Sequence, residues 1–261
     1  MFRVTSSDED PQWNDDIAWV SNLSTPATGA GDISHESDDR AAIASYLNDL
    51  TASDAFGATS VLRSLDPTSS LLALLADTRA VAGREPRTGR LPTGVRGSSW
   101  LAAVGYCIAL DQIGGVFTTD PASGRVQPFR RALDAFTDLG ADEIEALYAM
   151  RCALVHDYSA VNLDQHATRR KLDHAFALNA DPAAPLIRLP RTRYDRERPH
   201  DIRPDNQTWV NIRAFGDLVE RVVVELRDRH ERGELQLHVD RDDLARRFGL
   251  SFTTPETDTS D

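Results

Sequence analysis

Hydrophobic residues recur at helical spacing along most of the chain, and this pattern predicts a mainly helical protein. In 208–233, TWVNIRAFGDLVERVVVELRDRHERG, the apolar residues from Trp209 to Leu226 fall at spacings of three and four, as one buried face of an α-helix requires. Segment 98–115 is almost entirely apolar between a serine start and a Gly-Gly end, which predicts a buried helix that stops at the glycines. The segments predicted to be helical are 34–50, 69–83, 98–115, 126–139, 141–159 and 208–233.

A different pattern separates the last two helices. Residues 174–190 alternate apolar and polar positions around DPAAP, which predicts a small β-hairpin. An Arg/Pro-rich connector follows over 188–207. Because several of the middle helices are joined by short connections, the predicted fold class is all-α, an antiparallel helical bundle with a small β-hairpin and flexible termini.

The length of 261 residues suits one large domain with extensions. The first 60 residues are predicted to be an N-terminal extension, 1–60, partly flexible and with a helix near 34–50. The bundle is expected over 61–235. The remaining residues, 236–261, end in a polar stretch and are predicted to be a tail.

Charge limits the partners that the whole surface attracts. A formal net charge of -12 provides no general steering toward nucleic acid, so RNA contact would need a local basic patch. Two segments offer one: Arg169 and Arg170 in TRRK, and Arg191 and Arg193 in the connector. In the second, neighbouring acidic residues neutralise much of the charge, and a solvated connector is the alternative.

Cysteine usage and hydropathy bear on the compartment. The two cysteines, Cys107 and Cys152, lie in apolar helical segments, where they are expected to be buried rather than joined in a disulfide framework. The chain start shows no secretory signal, and the longest apolar run, 100–110, is too short for a bilayer. The prediction is a cytoplasmic protein that does not contact membranes.

Two charged residues lie where core residues are expected. Arg151 shares a helix face with apolar residues of ALYAMRCALVHDY, and Asp111 shares one with Trp100 and Cys107. A buried charge needs a partner, so an Arg151–Asp111 ion pair is the structural interpretation. His156 follows five residues after Arg151, roughly 140° round an ideal α-helix, so the two side chains are expected to flank one side of the helix rather than to line up.

The same residues also permit a functional interpretation. An arginine held by packing and by a carboxylate is a preorganised phosphate clamp, and a nearby histidine can transfer protons at neutral pH. That pairing suits phosphodiester cleavage without a metal ion. His166 and His174, near aspartates, form no compact ligand cluster, so no metal and no cofactor is predicted.

The motif RCALVH at 151–156, placed late in a helix that follows WLAAVGYCIALDQIGG, resembles the HEPN (higher eukaryotes and prokaryotes nucleotide-binding) family. The similarity extends over roughly 65–235, to a bacterial branch whose motif is close to R-C-x-L-V-H. It implies a helical bundle that forms a homodimer through the motif helices. It also implies a metal-independent endoribonuclease of a toxin–antitoxin or phage-defence system, with an antitoxin or other defence protein as a possible partner.

The resemblance assigns roles to individual residues. Arg151 corresponds to the stabiliser of charge on the phosphate, His156 to the general acid/base, and Asp111 to an acidic residue that orients the arginine. Tyr148, Cys152 and Asp157 are the remaining supporting residues of the motif.

Two other functions remain open. Cys152 stands where catalytic branches often have Asn or Asp, and many HEPN domains are inactive, so the chain could be a module for dimerisation or for binding a nucleotide or a partner. A regulatory protein whose acidic surface mimics nucleic acid is the third possibility.

Overall fold

The computed structural model describes most of the chain between residues 33 and 250, and the helices and strands named here lie in that part. The described stretches are 33–48, 68–95, 97, 99–119, 127–163, 173–195 and 200–250. The helices are α1 (Ile33–Asn48), α2 (Ser70–Val81), α3 (Trp100–Val116), α4 (Pro128–Phe136), α5 (Ala141–Cys152), α6 (Ile212–Arg232) and α7 (Arg241–Phe248). The strands are β1 (Thr68–Ser69), β2 (Phe117–Thr118), β3 (Val161–Asn162), β4 (His174–Asn179), β5 (Ile187–Arg188), β6 (Gln207–Asn211), β7 (Gln236–Leu237) and β8 (Gly249–Leu250).

Helix α3 lies at the centre of the helical part and contacts α2, α4 and α6. Its sequence carries one charged residue, Asp111, and its buried positions surround most of the helix. A helix that is apolar on most sides is stable only when other elements cover it, so its neighbours form the core around it. The six predicted helices are all present, although with shifted ends.

Gly114, the first of two adjacent glycines near the end of α3, allows close packing against α4. The helix ends at Val116, one residue beyond the predicted end at residue 115. A Cβ atom at Gly114 would lie 1.9 Å from the carbonyl oxygen of Pro128, the first residue of α4. The absence of a side chain therefore allows the start of α4 to touch α3.

The prediction of an all-α fold is wrong, because four strands form a mixed sheet in the order β3-β4-β6-β5. β4 runs parallel to β6, with Phe176 opposite Thr208, whereas β3 and β5 pair antiparallel with their neighbours. The predicted hairpin at 174–190 is wrong as well, because β6 lies between β4 and β5. The alternation of apolar and polar residues correctly indicated a strand at β4. Its pairing partner, however, is β6, which lies far along the chain.

Strand β6 occupies the start of the segment that was predicted to be one long helix. Thr208 and Val210 are β-branched and buried, which favours the strand, and Trp209 lies in the strand rather than on the helix. Asn211 then caps α6, because its side-chain oxygen accepts a hydrogen bond from the backbone N–H of Ala214. The apolar residues from Ile212 onward therefore reflect a helix, whereas the helical spacing of Trp209 relative to them is coincidental.

Segments from both ends of the described region pack on this body. Helix α1, close to the predicted 34–50, contacts α6 and β7. β7 pairs with β2, and β8 pairs with β1. Residues 236–250 thus contain two short strands and α7, whose Leu244 is buried in the same hydrophobic cluster as Ile43 of α1.

Two buried arginines hold the loop that follows α2. Arg79 donates to both carboxylate oxygens of Glu220 on α6 and to two loop carbonyl oxygens, those of Pro86 and Arg87. Arg84 donates to Asp217 at 2.6 Å. The loop that follows α2 is therefore fastened to α6 by Arg79 of α2 and by its own Arg84, and both arginines already have carboxylate partners.

None of the helices in the described part of the chain combines the length and the apolar character that a membrane span requires.

The two adjacent glycines of α3 predict opposite effects of the same substitution. Gly114→Ala should lower the free energy of unfolding by about 1–3 kcal/mol, because the new methyl group meets backbone that cannot move freely. Gly115→Ala is the matched control: its Cβ would lie 4.0 Å from the nearest atom, Cβ of Pro128. It should be neutral or stabilise by up to about 1 kcal/mol through helix propensity. Urea unfolding followed by circular dichroism measures both, and equal effects of the two changes would contradict the packing role.

Candidate functional site

The helix that carries the motif changes its winding at the motif. α5 ends at Cys152, and residues Ala153–Asp157 form a π-helical turn in which the N–H of Tyr158 donates to the carbonyl oxygen of Ala153, five residues back. Each residue of a π-helix advances less around the axis than in an α-helix. His156 therefore comes round toward Arg151, and the expectation that the two side chains do not line up is wrong.

The guanidinium group of Arg151 contacts both Asp111 and His156. Its Nε donates to Oδ2 of Asp111 at 2.8 Å, and its Nη1 lies 2.8 Å from Nε2 of His156. Because arginine only donates hydrogen bonds, Nε2 must accept, which means that the imidazole is neutral and carries its proton on Nδ1. The predicted Arg151–Asp111 pair is confirmed, with the two side chains 20% and 23% exposed.

Asp111 is stabilised from two directions. Besides Arg151, its carboxylate accepts a hydrogen bond from the backbone N–H of Phe129 in the first turn of α4, where the positive end of the helix dipole favours an anion. Burial raises the pKa of the Asp111 carboxyl, while Arg151 and the Phe129 N–H oppose that rise. Burial of Arg151 disfavours its charge, but the carboxylate outweighs this and raises the pKa of the guanidinium.

The supporting residues of the motif form a second layer behind Arg151. The Cys152 thiol is hydrogen-bonded to Tyr148 and to Arg151, and the guanidinium of Arg130 lies 3.8 Å from the centre of the Tyr148 ring. Burial raises the pKa of the Cys152 thiol, and of Tyr148 to about 12, so both are uncharged at neutral pH. A thiol and a phenol that keep their protons are weak nucleophiles, and both side chains lie against the arginine through the hydrogen bonds of Cys152.

Tyr158 ends the π-helical turn in an unusual conformation. Its φ of 50° is in the left-handed region, and no other non-glycine residue in the described stretches has a positive φ. Such a conformation costs about 1–3 kcal/mol for a side-chain-bearing residue and concentrates at functional sites. The ring makes an edge contact with Trp100, the first residue of α3, with centroids 5.9 Å apart.

The remaining predicted site residues lie apart from this group. Asp157 is exposed at the end of the turn and makes no hydrogen bond with Arg151 or His156 among the described residues. Arg191 and Arg193 are exposed on the segment after β5. β5 and β3, the strand that follows the motif, are opposite edges of the sheet, three strand spacings or roughly 14 Å apart.

Two predicted RNA-binding residues, Arg169 and Arg170, lie outside the described residues, as does His166. His174 lies on β4 and forms a hydrogen bond with Thr208. Within the stretches that the structure describes, no three side chains of His, Cys, Asp or Glu are grouped so that they could hold a metal ion.

Sequence reasoning missed three participants: Phe129, Arg130 and Tyr158. Pro128 at the first position of α4 signals a helix start, but nothing in the sequence indicates that this start faces Asp111. Tyr158 could have been singled out as an aromatic residue directly after the motif.

Comparison of the chain with protein-family models, with curated proteins and with solved structures finds no match. The resemblance to HEPN proteins therefore remains a prediction from the motif and its surroundings.

The Arg151–Asp111 contact predicts a measurable coupling energy. In a double-mutant cycle with Arg151→Gln and Asp111→Asn, the coupling should be about 1–3 kcal/mol, because the two partly buried groups share one hydrogen-bond network. Arg246 and Asp243 of α7, 3.6 Å apart with arginine 74% exposed, are the control pair, for which we expect less than about 0.5 kcal/mol. Chemical unfolding of the original protein and of the two single variants and one double variant of each pair gives both values. Similar coupling in the two pairs would mean that burial adds nothing to the Arg151–Asp111 interaction.

Proposed function

We propose that the protein is a metal-independent endoribonuclease of the HEPN type and that Arg151 and His156 perform the chemistry. The observation that supports this most is the contact of the two side chains at 2.8 Å, with Asp111 holding the arginine from behind. His156 is exposed, and Arg151 is only partly buried. A proton-transfer group and a fixed cation are thus presented together to a ligand.

The reaction that suits this pair is attack of a ribose 2′-OH on the adjacent phosphate. The 2′ oxygen bonds to phosphorus as the bond to the 5′ oxygen breaks, which yields a 2′,3′-cyclic phosphate and a 5′-OH. One imidazole accepts the proton of the 2′-OH, and another donates a proton to the leaving 5′ oxygen. DNA lacks the nucleophile, so the substrate class is RNA.

Arg151 also controls when His156 is able to act as a base. In the structure, Nη1 of Arg151 occupies the lone pair of Nε2 of His156. A substrate phosphate is a stronger hydrogen-bond acceptor for the guanidinium than a neutral imidazole is. When the phosphate binds to Nη1 of Arg151, Nε2 of His156 becomes free to accept the 2′-OH proton. Asp111 retains Nε of the arginine throughout, which keeps the guanidinium directed at the phosphate.

A homodimer would supply the second histidine, and the surface beside the site supports one. Leu101 and Ile108 of α3 are 56% and 39% exposed, and Ile108 lies one helical turn before Asp111 on the same side. An exposed apolar stripe of this kind marks a contact surface. A toxin or defence-system effector, with an antitoxin or other defence protein as partner, is the setting that the resemblance implies.

The second candidate is a catalytically inactive HEPN module that dimerises or binds a nucleotide or a partner. The observation that favours it is the residue following Arg151, because the half-buried Cys152 stands in place of the polar residue frequent in catalytic branches. In that case, the Arg151–Asp111 pair serves to hold α3 and α5 together.

Cleavage of a fluorescent single-stranded RNA in EDTA tests the proposal. We expect His156→Gln to slow cleavage about 100-fold or more, because a general acid/base is lost, and Arg151→Lys to slow it about 100- to 1,000-fold, because the positioned donors to the phosphate are lost. His200→Gln, at another exposed histidine, is the matched control and should cleave like the original protein. A 2′-deoxy substitution at the scissile position should block the reaction, and mass spectrometry should find the cyclic phosphate.

Two results would count against the nuclease. Cleavage that survives in His156→Gln would assign the chemistry elsewhere. A folded dimer that cleaves no RNA across a varied transcript pool would favour the inactive module.

The exposed stripe of α3 predicts the dimer contact. Placing Asp at both Leu101 and Ile108 should raise the dissociation constant of the dimer about 100-fold or more, since two apolar contacts become charges. Val224→Asp, on the exposed side of α6 at 53% exposure, should leave the dimer unchanged. Sedimentation velocity over a concentration series measures both, and an intact dimer in the double variant would place the interface elsewhere.

A further inference from the structure

Tyr158 presents an aromatic ring to solvent two residues after His156 of the proposed site. The residue is 56% exposed and follows His156 by two positions. Every other large hydrophobic residue of comparable exposure in the described stretches is aliphatic. An aromatic ring that is exposed next to a candidate site is a surface on which a ligand can bind.

Two features hold the ring in a defined place. The left-handed backbone at φ 50° turns the chain sharply out of the π-helical turn, and the edge of the aromatic system is fixed by Trp100 at a centroid distance of 5.9 Å and an interplanar angle of 61°. The chain thus retains a strained backbone and a supported ring, although the ring stays largely uncovered. A ring that served only the core would be buried.

We propose that Tyr158 is a specificity-determining residue that stacks on an unpaired RNA base next to the scissile phosphate. The proposal rests on the endoribonuclease function above and narrows its substrate to single-stranded RNA. Any base offers a π-face to an aromatic ring, so such stacking adds affinity without reading the sequence. In an RNA helix both faces of a base are covered by its neighbours, and the ring then has nothing to stack on.

The position of the ring fits the direction of the chemistry. Arg151 and His156 address the phosphate and the adjacent 2′-OH, and the base attached to that ribose projects away from the backbone. Tyr158 follows His156 by two residues, so an RNA strand whose phosphate lies at Arg151 and His156 would pass a nearby base to the ring. The aromatic ring would select RNA whose base is unpaired at this position. Arg151 and His156 act on the phosphate and the 2′-OH, which every RNA has.

The test measures binding rather than cleavage. A fluorescein-labelled 2′-O-methyl oligonucleotide, which has no free 2′-OH, is titrated with the full chain, and anisotropy reports the dissociation constant. We expect Tyr158→Gly to weaken binding about 5- to 100-fold, because glycine keeps the left-handed backbone and removes only the ring. Tyr158→Trp should bind within about threefold of the original, since a stacking ring is restored.

Leu163→Gly is the matched control, because it removes an exposed apolar side chain (48% exposed) nearby in the chain without touching the ring. It should leave the dissociation constant unchanged. A duplex of the same sequence should bind weakly and equally to the original protein and to Tyr158→Gly.

Each alternative outcome is decisive. Unchanged single-strand binding by Tyr158→Gly, or equal loss on the duplex, overturns the stacking role. Loss of the dimer in Tyr158→Gly, seen by sedimentation, assigns the ring to a subunit contact and also overturns it. If single-strand binding depends on Tyr158 but the protein cleaves no RNA, the stacking role holds and the nuclease proposal is overturned. The two proposals therefore fail separately.

Discussion

The burial of α3 is the constraint on which the rest of the structure depends. A helix with a single charged residue is stable only if other elements surround it, and α2, α4 and α6 do so. Gly114 brings the start of α4 into backbone contact, and the same α4 terminus then faces the one charge of α3, Asp111. The carboxylate requires compensation in this environment, which Arg151 and the Phe129 N–H supply.

The compensation of Asp111 also creates the candidate site. The half-buried Asp111 takes only Nε of Arg151, and the other edge of the guanidinium extends to the exposed His156. The π-helical turn makes this possible, because ordinary α-helical winding would carry His156 away from the arginine. Departure from regular helix geometry and the left-handed Tyr158 thus both occur within the same few residues. The π-helical turn and the strained backbone of Tyr158 lie next to Arg151 and His156 in the chain. Backbone strain concentrates at functional sites, which is the physical reason for locating the candidate site here.

The structural and functional interpretations of Arg151 are compatible. The ion pair with Asp111 restrains the guanidinium, and restraint is what a phosphate clamp requires before its ligand arrives. The acidic net charge of -12 does not oppose this, because the site presents one cation locally rather than a basic surface. Arg79 and Arg84, by contrast, are occupied by carboxylates of α6.

The sequence by itself determined the helices, their approximate ends and the identity of the charged residues in the core, because these depend on local periodicity and on the cost of burying charge. It could not determine that β4 pairs with β6 rather than with β5, since strand pairing joins segments that the local pattern does not connect. Nor could it show that His156 reaches Arg151, because that contact depends on a change of helix winding. The Phe129 N–H at Asp111 and the support of Tyr158 by Trp100 were likewise decided only by tertiary packing, which brings the ends of different helices together.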